Sequence, residues 1–315
     1  MGDIFNMALL QNTLRTAAPI VLCAMGGLFT EHAGLMNIGM DGMMLIGAFA
    51  AVTASYFFGS ALMGILFALL CGLLVGLFFA LFVVKFRSDE FIIGVALNIF
   101  AGGLTVFLLR TIFGVKGSFS DPAIAAIPAL NWDALGSVPI LGDLLNGHTV
   151  LVYVSLILVF VCYIVLYKTP LGFKIRAAGE SPDALRSVGV NPNRMKTLSS
   201  VICGMFCTLA GAHLSLGYLT LFSEGMSANK GFIAFACIIF GRANPAKVFL
   251  ATLFFGFLDA LGLRLQSTGV PSNLTEILPY LMTVLALVYA ALRQRHTKHR
   301  LTAKSVREYS SAKNI

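Results

Sequence analysis

The feature that most constrains this chain is a series of long apolar runs, at about 8–30, 38–58, 60–84, 91–113, 149–167, 197–217, 228–241, 246–265 and 275–292. A run of around 20 apolar residues matches the thickness of a bilayer core. No water is available there, so every backbone N–H and C=O must be bonded within the segment, and an isolated run can meet that demand only as a helix. A membrane barrel would instead show alternation over ~10-residue stretches. Only 11% of the residues are charged and 58% are hydrophobic. The expected fold is all-α, a polytopic membrane bundle of about nine segments. The seventh run is exceptional. Its clean core, Gly231–Gly241, is about half the length needed to span, so a half-helix or broken helix is expected there.

Charge fixes the expected orientation. Seventeen of the 22 Lys/Arg fall in residues 85–90, 168–196, 241–247 and 293–315. The positive-inside rule puts these segments in the cytoplasm. Residues 114–148 carry Lys116 against Asp121, Asp133 and Asp143, as suits an outer loop. That loop is either a landing cap for a delivery protein or an ordinary ordered connection. An odd number of segments with a basic inner C-terminus places the N-terminus outside. Residues 1–292 are the expected transmembrane domain, and 293–315 a basic, disordered cytoplasmic tail. The net charge of +8 is then a signal of topology and of affinity for anionic membrane lipid, not of nucleic-acid binding. The first fourteen residues hold no Lys or Arg, so no secretory leader is expected.

The inner segment 168–196 reads as a docking loop with a short helix inside it. Ser181 is placed as N-cap, Pro182 as the first helical residue and Asp183 in the first turn, with Gly189 just past the end. Ala184, Leu185 and Val188 give this helix one apolar face, which needs a separate protein, the lipid surface or its own bundle to cover it.

Two other places break the helical pattern. Phe29–Gly42 sets Glu31, His32, Asn37 and Asp41 among glycines, and Ser223–Asn229 precedes the weak seventh run. Irregular backbone at membrane depth survives only inside protein or beside a watery cavity, and broken helices aim their ends at a solute. Ionisable residues within apolar runs point to function by default. They are Arg15, Asp41, Arg110, Asp259 and Arg264. Arg110 and Arg264 can reach the interface. Asp259 either lines a path or bonds to a neighbouring helix, and Arg15 needs a partner that the sequence does not name. The six cysteines lie in apolar runs and read as packing residues, and the histidines show no ligand spacing except His296 and His299 in the tail. The chain has no phosphate-binding Gly-rich loop followed by Lys, so no cofactor is expected on it.

The stretch GLMNIGMDGMMLIGAFAA (Gly34–Ala51) resembles the signature of the permease subunits of bacterial nucleoside and simple-sugar ABC importers. That family is related to the ribose, galactose and branched-chain amino-acid permeases. GFKIRAAGESPDALRSVGV (Gly172–Val190) resembles its cytoplasmic coupling loop, and KGFIAFACIIFGRANP (Lys230–Pro245) its late half-helix and turn. Two positions depart from the pattern: Asp41 stands where relatives often have Glu, and Leu185 replaces the second Ala of the loop.

The resemblance implies a transport subunit, not an enzyme. ATP would be consumed by a cytoplasmic ABC ATPase partner. A second, homologous permease would complete the path, and an extracytoplasmic binding protein or lipoprotein would deliver the solute. Nucleosides are favoured over simple sugars, with branched-chain amino acids behind. The coupling element would include Gly172, Arg176, Ala178, Gly179 and Glu180, then Pro182, Ala184, Leu185, Val188 and Gly189. In this picture Gly179 and Gly189 free the backbone at the two ends of a lever, and Arg176 pairs with an acidic ATPase surface. The path would be lined by Asn37, Gly39, Asp41 and Gly42 from the first break, with Asn98, Glu224, Asn229 and Asp259.

Overall fold

Lipid is as apolar as a leucine side chain, so what holds the helices of such a chain together is close packing and internal hydrogen bonding. A computed structural model describes residues 7–130 and 146–267. Among them, seven helices are long and apolar enough to cross a membrane. They are α1 (Met7–His32), α2 (Met40–Phe58), α3 (Ala61–Ala80), α4 (Glu90–Phe113), α5 (Val150–Lys168), α8 (Pro192–Ala212) and α10 (Pro245–Ser267). Three shorter helices complete the set: α6 (Pro170–Glu180), α7 (Pro182–Ser187) and α9 (Lys230–Phe240). π-Helical turns at Leu81–Lys85 and His213–Tyr218 extend α3 and α8. The chain divides into two compact units, Met1–Ala260 and Leu261–Ile315, and of the second the described residues are the last turns of α10. The expected segment 275–292 and the tail 293–315 lie outside the described residues.

The middle of the first unit is built from α1, α2 and α8, whose apolar residues are mostly buried. Helices α3, α4 and α5 lie around them and keep one face open. On α3 that face is Leu62, Leu66, Leu70 and Leu74, spaced one turn apart. Glycines let the backbones approach. A Cβ on Gly76 would stand 2.6 Å from the Ser200 carbonyl oxygen, and one on Gly204 3.0 Å from Gly76 Cα. The Gly72-x-x-x-Gly76 spacing thus seats α3 directly on α8.

Two short antiparallel pairs close one end of the bundle. β1 (Ser118–Phe119) pairs with β4 (Phe222–Ser223), and β2 (Ala129–Leu130) with β3 (His148–Thr149). Phe113 and Phe119 stack at 3.9 Å, Tyr56 packs edge-on to both, and Ser55 Oγ donates to the Ala125 carbonyl at 2.9 Å. The described part of residues 114–148 is therefore ordered and fastened to α2, α4 and the end of α8. Trp132, Pro139 and Asp143 lie outside the described residues.

Residues 168–196 contain the expected short helix, starting at Pro182, but more of the segment is helical than a loop around it. Helix α5 runs to Lys168, α6 and α7 fill the middle, and α8 starts at Pro192. The cause is a repeated start signal, a polar residue before proline. Thr169 Oγ1 accepts from the Gly172 amide at 3.2 Å, and Asn191 Oδ1 from the Asn193 amide at 2.9 Å. Ser181 precedes α7 but makes no side-chain capping bond, so Pro182 alone marks that start.

Candidate functional site

The two irregular regions meet in space. Between α1 and α2 the chain turns through Gly34, at φ 69°, and runs unwound to Gly39. Buried backbone groups there need partners, and two asparagines supply them. Asn37 Oδ1 accepts from the Gly39 amide at 3.0 Å, and its Nδ2 donates to Cys203 Sγ at 3.3 Å. From α4, Asn98 Oδ1 accepts from the Gly42 amide at 2.7 Å while Nδ2 donates to the Ile38 carbonyl at 3.1 Å. Helix α2 is therefore capped across the gap by a neighbouring helix.

Asp41 performs the same service for α9. One carboxylate oxygen accepts from the Gly231 amide at 3.0 Å and the other from Ser227 Oγ at 2.9 Å. Asp41 sits in the first turn of α2 and Gly231 in the first turn of α9, so one negative charge offsets the positive ends of two helices. A Cβ on Gly231 would collide with the Asp41 amide nitrogen, so only glycine permits this approach. Helix α9 is also flanked by non-glycine residues in the left-handed region, Ala228 and Asn229 before it, Arg242 and Ala243 after it. Left-handed alanine costs about 1 kcal/mol, and such strain persists where surrounding structure fixes the conformation.

Asp259, for which path-lining and a helix contact were both open, forms an ion pair: Lys230 Nζ stands 2.6 Å from its Oδ2. The sequence reading did not include Lys230 among the site residues. Its signal was present, because a carboxylate inside an apolar helix needs a cation and Lys230 opens the neighbouring short one. Arg15 finds its partner in Tyr218. Its guanidinium lies 4.9 Å from the ring centroid and Nη2 donates to the Tyr218 carbonyl at 3.2 Å. Tyr218 is within electrostatic reach of Lys230 and Asp259 as well, so the four form one polar cluster on α1, α8, α9 and α10. Glu224 is elsewhere: it accepts from the Gly117 amide at 3.1 Å and faces Arg110 at 3.9 Å. Asn229 is exposed at the entrance to α9.

The residues expected to couple the chain to a partner separate into two faces. Gly172, Ala178 and Leu185 are buried, whereas Glu180, Ala184, Val188 and Gly189 are exposed, Val188 to 72%. The apolar face of α7 is split, because Leu185 anchors the helix in its own bundle while Ala184 and Val188 point away from it. Gly179 lies inside α6, where a Cβ would stand 2.7 Å from the Gly34 amide nitrogen. Arg176 is turned inward over the Tyr167 ring at 5.0 Å, with its Nε buried, and is not extended toward an acidic surface. Gly189, at φ 79°, does end α7 in the left-handed turn that favours glycine. Tyr167 also meets His32 edge-on at 5.8 Å, and His32 Nε2 lies 2.9 Å from the Ala243 carbonyl oxygen. One contact chain thus joins α6 to α5, to the end of α1 and to the strained turn after α9. The exposed Phe173 on α6 was missed because it sits among polar neighbours, outside any apolar run.

Cys23, Cys203 and Cys207 form a fully buried group, with Cys23 and Cys207 Sγ atoms 3.4 Å apart, and all are free thiols.

Helix starts capped across a gap and a partly exposed polar cluster thus make up the candidate site. Residues 9–287 match the family described as branched-chain amino acid transport system, permease component. The guanosine ABC transporter permease protein NupQ of Bacillus subtilis is 34% identical over 87% of this chain and 89% of the relative. The nucleoside ABC transporter permease protein NupC of Lactococcus lactis is 31% identical over 89% and 90%. A glucose ABC transporter permease protein of Haloferax volcanii is 30% identical over 91% and 78%. No solved structure matches the chain. The chain therefore belongs to the branched-chain amino acid transport system permease component family, as a multi-pass ABC transporter permease of the bacterial inner membrane.

Proposed function

We propose that this chain is the translocation subunit of an ATP-driven nucleoside importer and binds no ATP itself. The observation that carries the reading is the match to the guanosine permease over most of both chains. The N-terminus lies outside and the C-terminus in the cytoplasm, with nine membrane segments of which α9 is a half-helix. That orientation places α6 and α7 beneath the bundle, where a cytoplasmic ATPase docks on Ala184 and Val188. A second permease completes the path; the occurrence of paired permeases among the relatives, such as NupP beside NupQ in Bacillus subtilis, supports this. An extracytoplasmic binding protein delivers the solute.

The path runs beside the meeting point of α2 and α9. Asn37, Gly39, Asp41, Gly42 and Asn98 frame it by holding the broken backbone, and Asn229, Lys230 and Asp259 present polar groups to the solute. Arg15 supports this placement. It is exposed two turns inside α1. A charge at that depth is stable against water or protein, not against lipid, so this face is turned to the path or to the second permease. Glu224 belongs to the outer entrance.

Reconstituting the chain with its ATPase, second permease and delivery protein in vesicles tests the reading. ATP-dependent, saturable uptake of labelled guanosine is expected, unaffected by excess glucose. Because one relative is a glucose permease, uptake of glucose alone would establish the sugar reading instead. Uptake of neither, by an assembly that hydrolyses ATP on addition of the loaded delivery protein, contradicts both.

A further inference from the structure

Between α3 and α8 runs a groove of about 840 Å³. Its long wall is apolar, formed by Leu74, Leu77 and Phe78 of α3 with Leu198 and Val201 of α8, and its end holds Lys85, Arg87 and Arg194. No acidic side chain lines it. A second pocket of about 370 Å³ shares Val84, Arg87 and Asn193 with the groove and adds Arg186 and Lys196. The ion pairs among the described residues use Asp183, Glu224 and Asp259, and none of these engages Lys85, Arg87, Arg194 or Lys196.

This arrangement is amphiphilic along its length. Leu74, Leu77 and Phe78 are 57%, 42% and 45% exposed on a helix that crosses the membrane, so their solvent is acyl chain. The cations gather where α3 leaves the membrane through its π-helical turn. There Arg87 sits at φ 55°, in the left-handed region, in the turn between α3 and α4. Lys196 has Glu90 within electrostatic reach, but a neutral lipid would leave Lys85, Arg87 and Arg194 without an ion pair to any described residue. The geometry points to a site for an anionic glycerophospholipid. Its chains lie along α3 and α8, and its phosphate sits among Lys85, Arg87 and Arg194. The second pocket receives the rest of the headgroup beside Arg186, which is part of α7, so the lipid is also a neighbour of the coupling helix.

The test uses the assembled transporter, purified in detergent and offered phosphatidylglycerol or phosphatidylcholine with identical acyl chains, with bound lipid counted by native mass spectrometry. Phosphatidylglycerol is expected to be retained over phosphatidylcholine, and excess inorganic phosphate to leave it in place. Each basic residue near an anionic headgroup contributes about fivefold, so K85Q/R87Q/R194Q should lower retention roughly 100-fold. R242Q/K247Q, which removes two charges elsewhere within the described residues, serves as the control and should retain the lipid. Equal retention of both lipids overturns the site, and this comparison needs no variant. So does full retention by the triple variant, displacement by inorganic phosphate, or a cross-link from Leu77→Cys to another protein chain, which would make the groove a protein interface. The readout is lipid binding, so a failure here leaves the nucleoside reading untouched, and the reverse holds.

Discussion

ATP-driven uptake should fall to background when Ala184 and Val188 are both replaced by aspartate, while the protein is expected still to insert and to purify as a folded chain. Both positions are exposed in the isolated subunit, so the new charges face water and cost the fold little. In the assembled transporter they would be buried against the ATPase without counter-ions. At about 2 kcal/mol or more for each uncompensated charge at an interface, the pair weakens docking by roughly a thousandfold. Co-purification of the ATPase measures this directly. Leu185→Asp should behave differently. Leu185 is 4% exposed, so its replacement destabilises the chain itself and lowers its yield. If both kinds of variant lose the protein from the membrane, α7 is only a structural element.

Asp41→Ala should be the most damaging change within the membrane. It leaves the Gly231 amide and the Ser227 hydroxyl without their acceptor and removes the charge that offsets the α2 and α9 termini. Two unsatisfied buried donors cost roughly 2–6 kcal/mol. Thermal stability in detergent should fall, and uptake should fall further than the loss of folded protein explains, because α9 is no longer tied to α2. Asp41→Asn keeps an acceptor oxygen and should retain more stability than the alanine variant. Equal stability of the alanine variant and the parent would show that the two breaks are held by something other than this carboxylate.

Eight of the nine apolar runs correspond to described helices, because lipid imposes one solution on such runs. The boundaries were less legible. The sequence reading began α8 at residue 197, five residues late, because Pro192–Lys196 is polar and lies outside the apolar run. The Asn191-Pro192 start signal was there to be read, as was Thr169-Pro170 before α6. What the sequence could not show was pairing at a distance. Asp41 with Gly231 and Arg15 with Tyr218 join residues far apart in the chain, and each is decided by how helices pack. The same is true of Gly179 and Arg176. Their place in a loop motif suggested motion and an outward partner, whereas packing gives one a close contact with Gly34 and the other an aromatic ring.

The central claim is that this bundle is moved from beneath through α7 and has no energy source of its own. Solute accumulation in vesicles tests it most directly, comparing the two permeases alone with the complete assembly under the same ion gradients. The account predicts that inside and outside concentrations merely equalise, or nothing enters, until ATPase and ATP are present. Accumulation against a gradient by the permeases alone would contradict it.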